Sequence, residues 1–387
     1  MSGPIPFADL PAAAREVWPE LQEGLTRALL EAQYIGGPAV EQFEHAWAAC
    51  CGTEHAVGTA NGTDALALIL EALRLEPGAE VVVPSNTFIA TAAAVVRAGA
   101  TPRFADVDPD TLLLTPRTLE EALGPRTRAV VVVHLFGQMP DMDGLAAVAE
   151  RAGILLLEDA AQAHLARWRD RPAGSFGVAA SFSFYPGKNL GAFGDAGAVV
   201  TSEAMLADRV RALANHGRHR GAGHYHHELV GTNSRLDALQ AIILSAKLAR
   251  LEEWTRARVE HAGAYRQAFA DTPIRMVASH PSAHNVYHLA VVRVPHRDRV
   301  RVALADAGIE TGIHYPVPCH LQPPLRRFAT GPLPVCERAA GEVLSLPMFP
   351  SLQPGQIRRV CDVLLDAVNR VVAGDGPPPP GTEAIAS

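Results

Sequence analysis

A lone lysine stands between an apolar run and a glycine-dense loop in Ser181-Phe-Ser-Phe-Tyr-Pro-Gly-Lys188-Asn-Leu-Gly-Ala-Phe-Gly-Asp-Ala-Gly197. Its ε-amine can condense with an aldehyde and later carry a proton. Taken alone, Lys188 also fits a solvated surface position, because lysine is rarely fully buried. Twenty-nine positions earlier, Gly153-Ile-Leu-Leu-Leu-Glu158-Asp159 ends in a carboxylate. In an open α/β sheet the carboxyl ends of strands face the ligand crevice, although Asp159 would also serve as a helix cap for Ala160 onward. Ala60-Asn61-Gly62-Thr63-Asp64 leads from a short strand into a helix, where free N–H groups and the positive dipole end suit a phosphate. A plain capping turn is the other reading of that stretch. Ser183 adds a hydroxyl within reach of the same phosphate, and Phe88 an aromatic face. Together these groups answer the needs of pyridoxal phosphate. The amine bonds the aldehyde, the carboxylate keeps the pyridine nitrogen protonated so that the ring draws electrons, the helix end and Ser183 hold the phosphate, and Phe88 stacks on the ring.

Two other cofactor patterns fail. Gly191-Ala-Phe-Gly194-Asp-Ala-Gly197 has the wrong glycine spacing for a dinucleotide fingerprint and precedes a strand instead of following one. Gly187-Lys188 lacks the first glycine of a P-loop, with Phe182 in its place, and Asn189 replaces the Ser/Thr. A nicotinamide oxidoreductase is therefore disfavoured.

The elements that must position these residues are short apolar runs alternating with helical patterns. Strands are expected at Glu80–Pro84, Thr101–Asp106, Ala129–His134, Ile154–Asp159, Ala179–Phe184 and Gly197–Thr201, and helices at Thr63–Leu73, Phe88–Ala98, Pro116–Leu123, Asp143–Ala152 and Glu203–Asn215. Such alternation implies an α/β fold with a mostly parallel sheet covered on both faces. From Asn233 to about Phe269 the apolar spacing is helical and reads as a bridge to a smaller α/β unit, with a strand at His288–Val294, a helix at Asp298–Ala307, a strand at Ile309–Tyr315 and a closing helix at Gln356–Val372. The expected division is a large domain over 12–245, a small C-terminal domain over 246–373, and a proline-rich tail over 374–387 that cannot pack a core.

Composition bounds the rest. The chain has 387 residues, 48% of them hydrophobic, with a net charge of −7, which disfavours nucleic acid or anionic membrane as a partner held by bulk charge. No run reaches the ~18 apolar residues of a membrane span. The five cysteines form no CxxC pair, so reduced thiols and a cytoplasmic location are expected. The histidine-rich stretch containing His216, His219, His224, His226 and His227 offers ligands enough for a metal, but without helical register or HExxH spacing no metal site is expected.

With those motifs in hand, the chain resembles the DegT/StrS family of pyridoxal-phosphate nucleotide-sugar aminotransferases from about Ile5 to Val372. The residues that carry the resemblance are Ala60–Leu66, Val83–Thr91, Val133–Gln138, Glu158–His164, Ser181–Gly197, Asn215–Gly217, Gly231–Leu236 and Gly312–Pro316. The resemblance implies a fold type I (aspartate-aminotransferase-like) structure and a homodimer with shared active sites. It implies that Lys188 is the Schiff-base lysine and Asp159 the pyridinium partner, that Gln162 sits near the cofactor's phenolic oxygen, and that Gly62, Thr63 and Ser183 line the phosphate beneath Phe88. Asn233 would reach the phosphate in the neighbouring subunit, with a helix N-cap as its plainer role. His134, Tyr185, His314 and Tyr315 fall where the family shapes the sugar pocket, and a satisfied core residue is the plainer reading of each. One departure stands out: the family's Gly-Ala after Gln-Ala-His is replaced by Leu165-Ala166-Arg167, which leaves the local backbone open.

The implied reaction passes an amino group from L-glutamate, through the cofactor, to a ketosugar on a nucleoside diphosphate, with Arg218, Arg220 and Arg235 available to the diphosphate. The loop Asn189–Gly197 resembles members acting on 3-keto-6-deoxyhexoses, which points to a 3-amino-3,6-dideoxyhexose on a thymidine diphosphate carrier. Amination at C4, amination of a keto-cyclitol and a pyridoxal-phosphate-binding regulatory protein are the alternatives. Relatives that dehydrate with a cofactor-bound amine lack the lysine, so Lys188 argues against that chemistry.

Overall fold

Apolar runs that alternate along a strand send successive side chains to opposite faces, and here both faces are covered. The structure, a computed structural model, describes residues 3–219, 221, 223 and 225–374. The expected tail beyond Gly374, together with Arg220 and His224, lies outside the described residues. The main sheet comprises β1 (His55–Thr59), β2 (Glu80–Pro84), β3 (Thr101–Ala105), β4 (Thr127–Val133), β5 (Leu155–Asp159), then, after a hairpin of two-residue strands β6 (Arg167–Trp168) and β7 (Arg171–Pro172), β8 (Ala179–Ser183) and β9 (Gly197–Thr201). Its seven strands run in the order β1-β9-β8-β5-β4-β2-β3. The pairs β2–β3, β2–β4, β4–β5 and β5–β8 are parallel, and β9 runs antiparallel to both β8 and β1. That reversal follows from the connection: β8 and β9 are joined by a loop without a helix, and a parallel pair needs a longer crossover.

Val81, Val83, Val131 and Val133 enter one buried cluster, whereas Val82, Val130, Val132 and Phe182 enter another. Helices α1 (Leu10–Leu30), α2 (Pro38–Cys51), α3 (Gly62–Leu73), α4 (Ile89–Arg97), α5 (Pro116–Ala122), α6 (Met142–Ala152) and α7 (Ala204–Ala214) precede the bridge. Of these, α1 and α2 have no counterpart in the sequence expectations. The expected continuous bridge is two helices, α8 (Ala238–Leu248) and α9 (Leu251–Phe269), separated at Ala249–Arg250. Asp237, not Asn233, occupies the position ahead of α8, so the N-cap role considered for Asn233 is not one it has.

The remainder forms a third buried cluster, in which Tyr265, Phe269, Val292, Leu344 and Leu364 pack with Ile5 from the other end of the chain. Its sheet is β10 (Arg275–Met276), β12 (Ala290–Arg293) and β13 (Val343–Leu346), while β11 (Ala283–His284) adds to the β6–β7 hairpin. Helices α10 (Arg297–Asp306), α11 (Pro334–Glu342) and α12 (Pro354–Ala373) complete it. The strand expected at Ile309–Tyr315 does not form. Ile309 makes a single bridge to Ile5 and Gly312 one to Ser345, after which Pro316 and Pro318 remove the N–H groups a ladder would need.

Candidate active site

Because β1, β4, β5 and β8 share one direction, their carboxyl ends bring Asn61, His134, Asp159 and Ser183 to the same edge of the sheet, and the β8–β9 loop carries Lys188 over it. A cleft of about 790 Å³ opens there, lined by Gly62, Thr63, Phe88, Asp159, Gln162, Ser183 and Lys188, with His134, Tyr185, His288, His314 and Tyr315 on its walls. Of the cofactor and sugar-pocket residues expected from sequence, Asn233 lies off this cleft, exposed and bridged to Asn215, and Arg218 and Arg235 do not line it either.

Asp159 is held from two sides. Thr91 Oγ1 donates to Asp159 Oδ2 at 2.7 Å, with Thr87 Oγ1 2.9 Å from Thr91 Oγ1, and the Ala161 N–H reaches Asp159 Oδ1 at 3.2 Å. Residues 160–166 form turns, not a helix, which sets aside the helix-cap reading of Asp159. Leu165 sits within them at φ +68°, a left-handed conformation that glycine adopts without steric cost. Leu165 thus takes a glycine-like backbone at the position where the resemblance implies glycine.

The first turn of α3 has the form of an anion seat. Asn61 caps it by accepting the Asp64 N–H at 2.8 Å, and the Gly62 and Thr63 N–H groups find no protein acceptor among the described residues. A side chain at Gly62 would lie 2.6 Å from Ser183 Cβ, so glycine lets the strand end close over that turn. Free N–H groups, a glycine cradle, a fixed carboxylate and an amine on one cleft fit pyridoxal phosphate.

The sequence contains two lysines, Lys188 and Lys247. Burial lowers the Lys188 amine to about 8, against the opposing pull of Asp159, so both its protonation states are populated near neutrality. Gln162 Oε1 accepts the Phe136 N–H at 2.6 Å and its Nε2 donates to Tyr315 Oη at 3.2 Å. Phe88 is 52% exposed to the cleft, its ring centroid 5.6 Å from that of Tyr315. Burial and Lys188 together push His314 down to about 4, and its Nδ1 lies 2.8 Å from Ser345 Oγ. Tyr185 is exposed and donates its N–H to Ser183 Oγ at 3.3 Å.

His134 is fully buried and its Nε2 is committed to Glu158 Oε2 at 2.8 Å. Burial raises the Glu158 carboxyl, but His134 and the N–H groups of Gly174 and Gly177 outweigh it and hold the group below its ordinary value. Arg218 and Arg235, considered for a diphosphate, both donate to Asn215 Oδ1, at 2.8 and 3.2 Å. No group of three or more His, Cys, Asp or Glu among the described residues is arranged to hold a metal. Thr91, Glu158 and His288 were not expected from sequence.

The profile of the DegT/DnrJ/EryC1/StrS aminotransferase family matches residues 17–365. The chain belongs to this family. It is 46% identical over 370 residues, 95% of this chain and 97% of the relative, to dTDP-3-amino-3,4,6-trideoxy-alpha-D-glucose transaminase of Streptomyces venezuelae. The crystal structure of Streptomyces venezuelae DesV in complex with a ketimine intermediate superposes with a TM-score of 0.92 at 45% identity, covering 95% of this chain and all of that one. NtdA of Bacillus subtilis, solved with bound pyridoxamine phosphate, superposes at 0.88 with 29% identity, over 95% of this chain and 86% of that one. The protein is a nucleotide-sugar aminotransferase of a pyridoxal-phosphate-dependent family, with the α/β fold of its relatives. Among the described residues no helix is long and apolar enough to cross a membrane, and all five cysteines are free.

Proposed function

We propose that this aminotransferase moves the amino group of L-glutamate to C3 of a thymidine-diphosphate-linked 3-keto-6-deoxyhexose, giving a 3-amino-3,6-dideoxyhexose. The observation carrying the finer reading is the 46% likeness, over 95% of the chain, to an enzyme named for a dTDP-3-amino sugar. The glycine-rich loop Asn189–Gly197 supports the same carbon.

When bound, pyridoxal phosphate supplies an electron sink for the carbon that loses and gains a proton. The chain's own groups do the rest. The Gly62 and Thr63 N–H groups and the α3 dipole hold the phosphate. Asp159, fixed by Thr91 and Ala161, would accept the ring N–H, Phe88 would cover the ring, and Gln162 would stand near the phenolic oxygen. Lys188 Nζ, close to half-protonated near pH 8, takes a proton in one half-reaction and returns it in the other.

The reading includes a homodimer in a cytoplasmic setting. Leu29, Leu30, Tyr34, Ile35 and Val230 are exposed apolar residues that a second subunit would cover, and Asn233 stands outside its own cleft, available to a neighbour's.

The test is incubation with glutamate and either a 3-keto or a 4-keto thymidine-diphosphate sugar, followed by NMR of the product. Amination of the 3-keto compound is expected. Turnover of the 4-keto compound alone, or of a keto-cyclitol alone, overturns the C3 assignment, and turnover of none supports the regulatory alternative.

A further inference from the structure

His288 projects onto the cleft wall from the stretch leading into β12, and three features fix how it does so. Tyr287 takes up φ +44°, a strained backbone for a bulky residue, and strain of this kind persists where surrounding structure enforces it. The enforcing group is Arg258, buried on α9, whose Nη1 donates to the carbonyls of Tyr287, His288 and Met348 at 3.3, 3.5 and 3.0 Å. The imidazole is then gripped by Asn189, the residue next to Lys188: His288 Nδ1 lies 3.3 Å from Asn189 Oδ1.

Asn189 also decides the tautomer. Its Nδ2 donates to the Val286 carbonyl at 3.0 Å, and a carbonyl can only accept, so the amide cannot be turned round. Oδ1 therefore faces the ring, and Nδ1 must carry the proton. Nε2 is left as a bare acceptor with no protein partner among the described residues, on a side chain that lines the cleft. Burial above all, and then the charges of Lys188 and Arg258 and the nearby His314 and His164, favour the neutral form of this ring.

We infer that His288 is a specificity-determining residue whose neutral Nε2 accepts a hydrogen bond from a hydroxyl of the acceptor sugar beside the carbon being aminated. The inference rests on the nucleotide-sugar reading above and adds to it the group that reads a hydroxyl. An imidazole held in this state orients a sugar and is no reservoir of protons, which leaves proton movement to Lys188.

Two measurements test it. In the 15N-labelled holoenzyme, two-bond 1H–15N spectra compared with those of His288→Phe should show one ring in the Nδ1–H tautomer that disappears in the variant. An Nε2–H tautomer or an imidazolium at neutral pH overturns the proposal without touching the aminotransferase reading. In kinetics, His288→Phe should raise KM for the nucleotide sugar about tenfold, the scale of one lost hydrogen bond, with a much smaller change in the glutamate half-reaction. An acceptor in which the neighbouring hydroxyl is replaced by hydrogen should show the same penalty with the wild-type protein and no further one with the variant. Equal losses in both half-reactions, or additive losses with the deoxy acceptor, overturn it. If the wild-type protein aminates no nucleotide sugar, it is the underlying reading that fails, and the tautomer still reports on His288 itself.

Discussion

Thr91 Oγ1 lies 2.7 Å from Asp159 Oδ2 although the two residues are 68 positions apart. The hydroxyl sits in the first turn of α4 and is itself met by Thr87 Oγ1 at 2.9 Å, so a chain of two hydroxyls ends on the carboxylate proposed to serve the cofactor nitrogen. A hydrogen bond to a charged group is worth about 1.5–3 kcal/mol. Thr91→Val keeps the shape and removes the donor, and kcat should fall about tenfold or somewhat more. Thr91→Ser should recover most of the rate. Similar losses in both variants, at equal thermal stability, would point to packing and not to orientation of Asp159.

The two lysines give a second test. Burial lowers Lys188 to about 8 and Lys247 to about 8. Lys247 Nζ donates to the Gly191 carbonyl at 2.6 Å and lies 4.4 Å from the Phe193 ring centroid, so it pins the loop that carries Lys188. With the folded value below the ordinary 10.5, neutral amine accumulates from about pH 7 upward. Acylation of the cofactor-free protein at a series of pH values, read by peptide mass spectrometry, should label Lys188 with a midpoint near 8 and Lys247 far more slowly. A Lys188 midpoint near 10.5 contradicts its burial in the cleft.

The central parallel strands β2, β4 and β5 were legible because they are almost wholly buried and read as runs of Val or Leu. Val81, Val82 and Val83 are all fully buried, and β-branched side chains favour the extended backbone. Asp159 followed from the rule that such strands end at the crevice, and Ser183 from its place five residues before Lys188. By contrast, α1 buries only Val17, Leu21 and Ala28 and has Pro19 inside it, so its apolar stripe is thin and its sequence argues against a helix. Thr91 and His288 carry no local signal of their roles: a threonine in an alanine-rich helix and a histidine before a strand acquire partners only when distant segments meet. His134 shows the converse. Its place after β4 suggested a sugar contact, but Glu158 on the neighbouring strand takes its Nε2.

Glu158 predicts an acid-side effect. Its two oxygens accept from His134 and from the N–H groups of Gly174, Phe176 and Gly177. Glu158→Gln turns an amide N–H toward donors, and breaking such a buried cluster costs about 3–5 kcal/mol, visible as a lower urea midpoint at pH 7. The folded carboxyl lies below its ordinary value of 4.5, so the native state binds fewer protons than the unfolded chain as the pH falls through that range. The stability it contributes is complete above about 4.5 and is lost as the pH drops through the folded value. The gap between wild type and variant should therefore be widest near pH 6 and shrink toward pH 3. A gap that is constant with pH rules out an ionised Glu158 in the fold.

Shared active sites make the sharpest prediction, because Lys188 and Asn233 would then serve each cleft from different subunits. Asn233 is exposed, off its own cleft, and joined to Asn215 on the segment that Arg218 and Arg235 brace. We propose that its amide completes the phosphate seat of the partner. Lys188→Ala should abolish turnover outright, since no other group in the cleft has its reach and proton affinity, and Asn233→Asp, which sets a negative charge beside the phosphate, should weaken cofactor binding severely. Unfolded together and refolded, the two variants pair at random, and about half the dimers are mixed. Each mixed dimer holds one site with Lys188 from one chain and Asn233 from the other, both intact, and one site lacking both. Activity should therefore return to about a quarter of the wild-type value, with half-occupied cofactor in the mixed species. If the mixture stays as inactive as its parents while sedimentation shows dimers, each cleft is built from a single chain and Asn233 acts only within its own subunit.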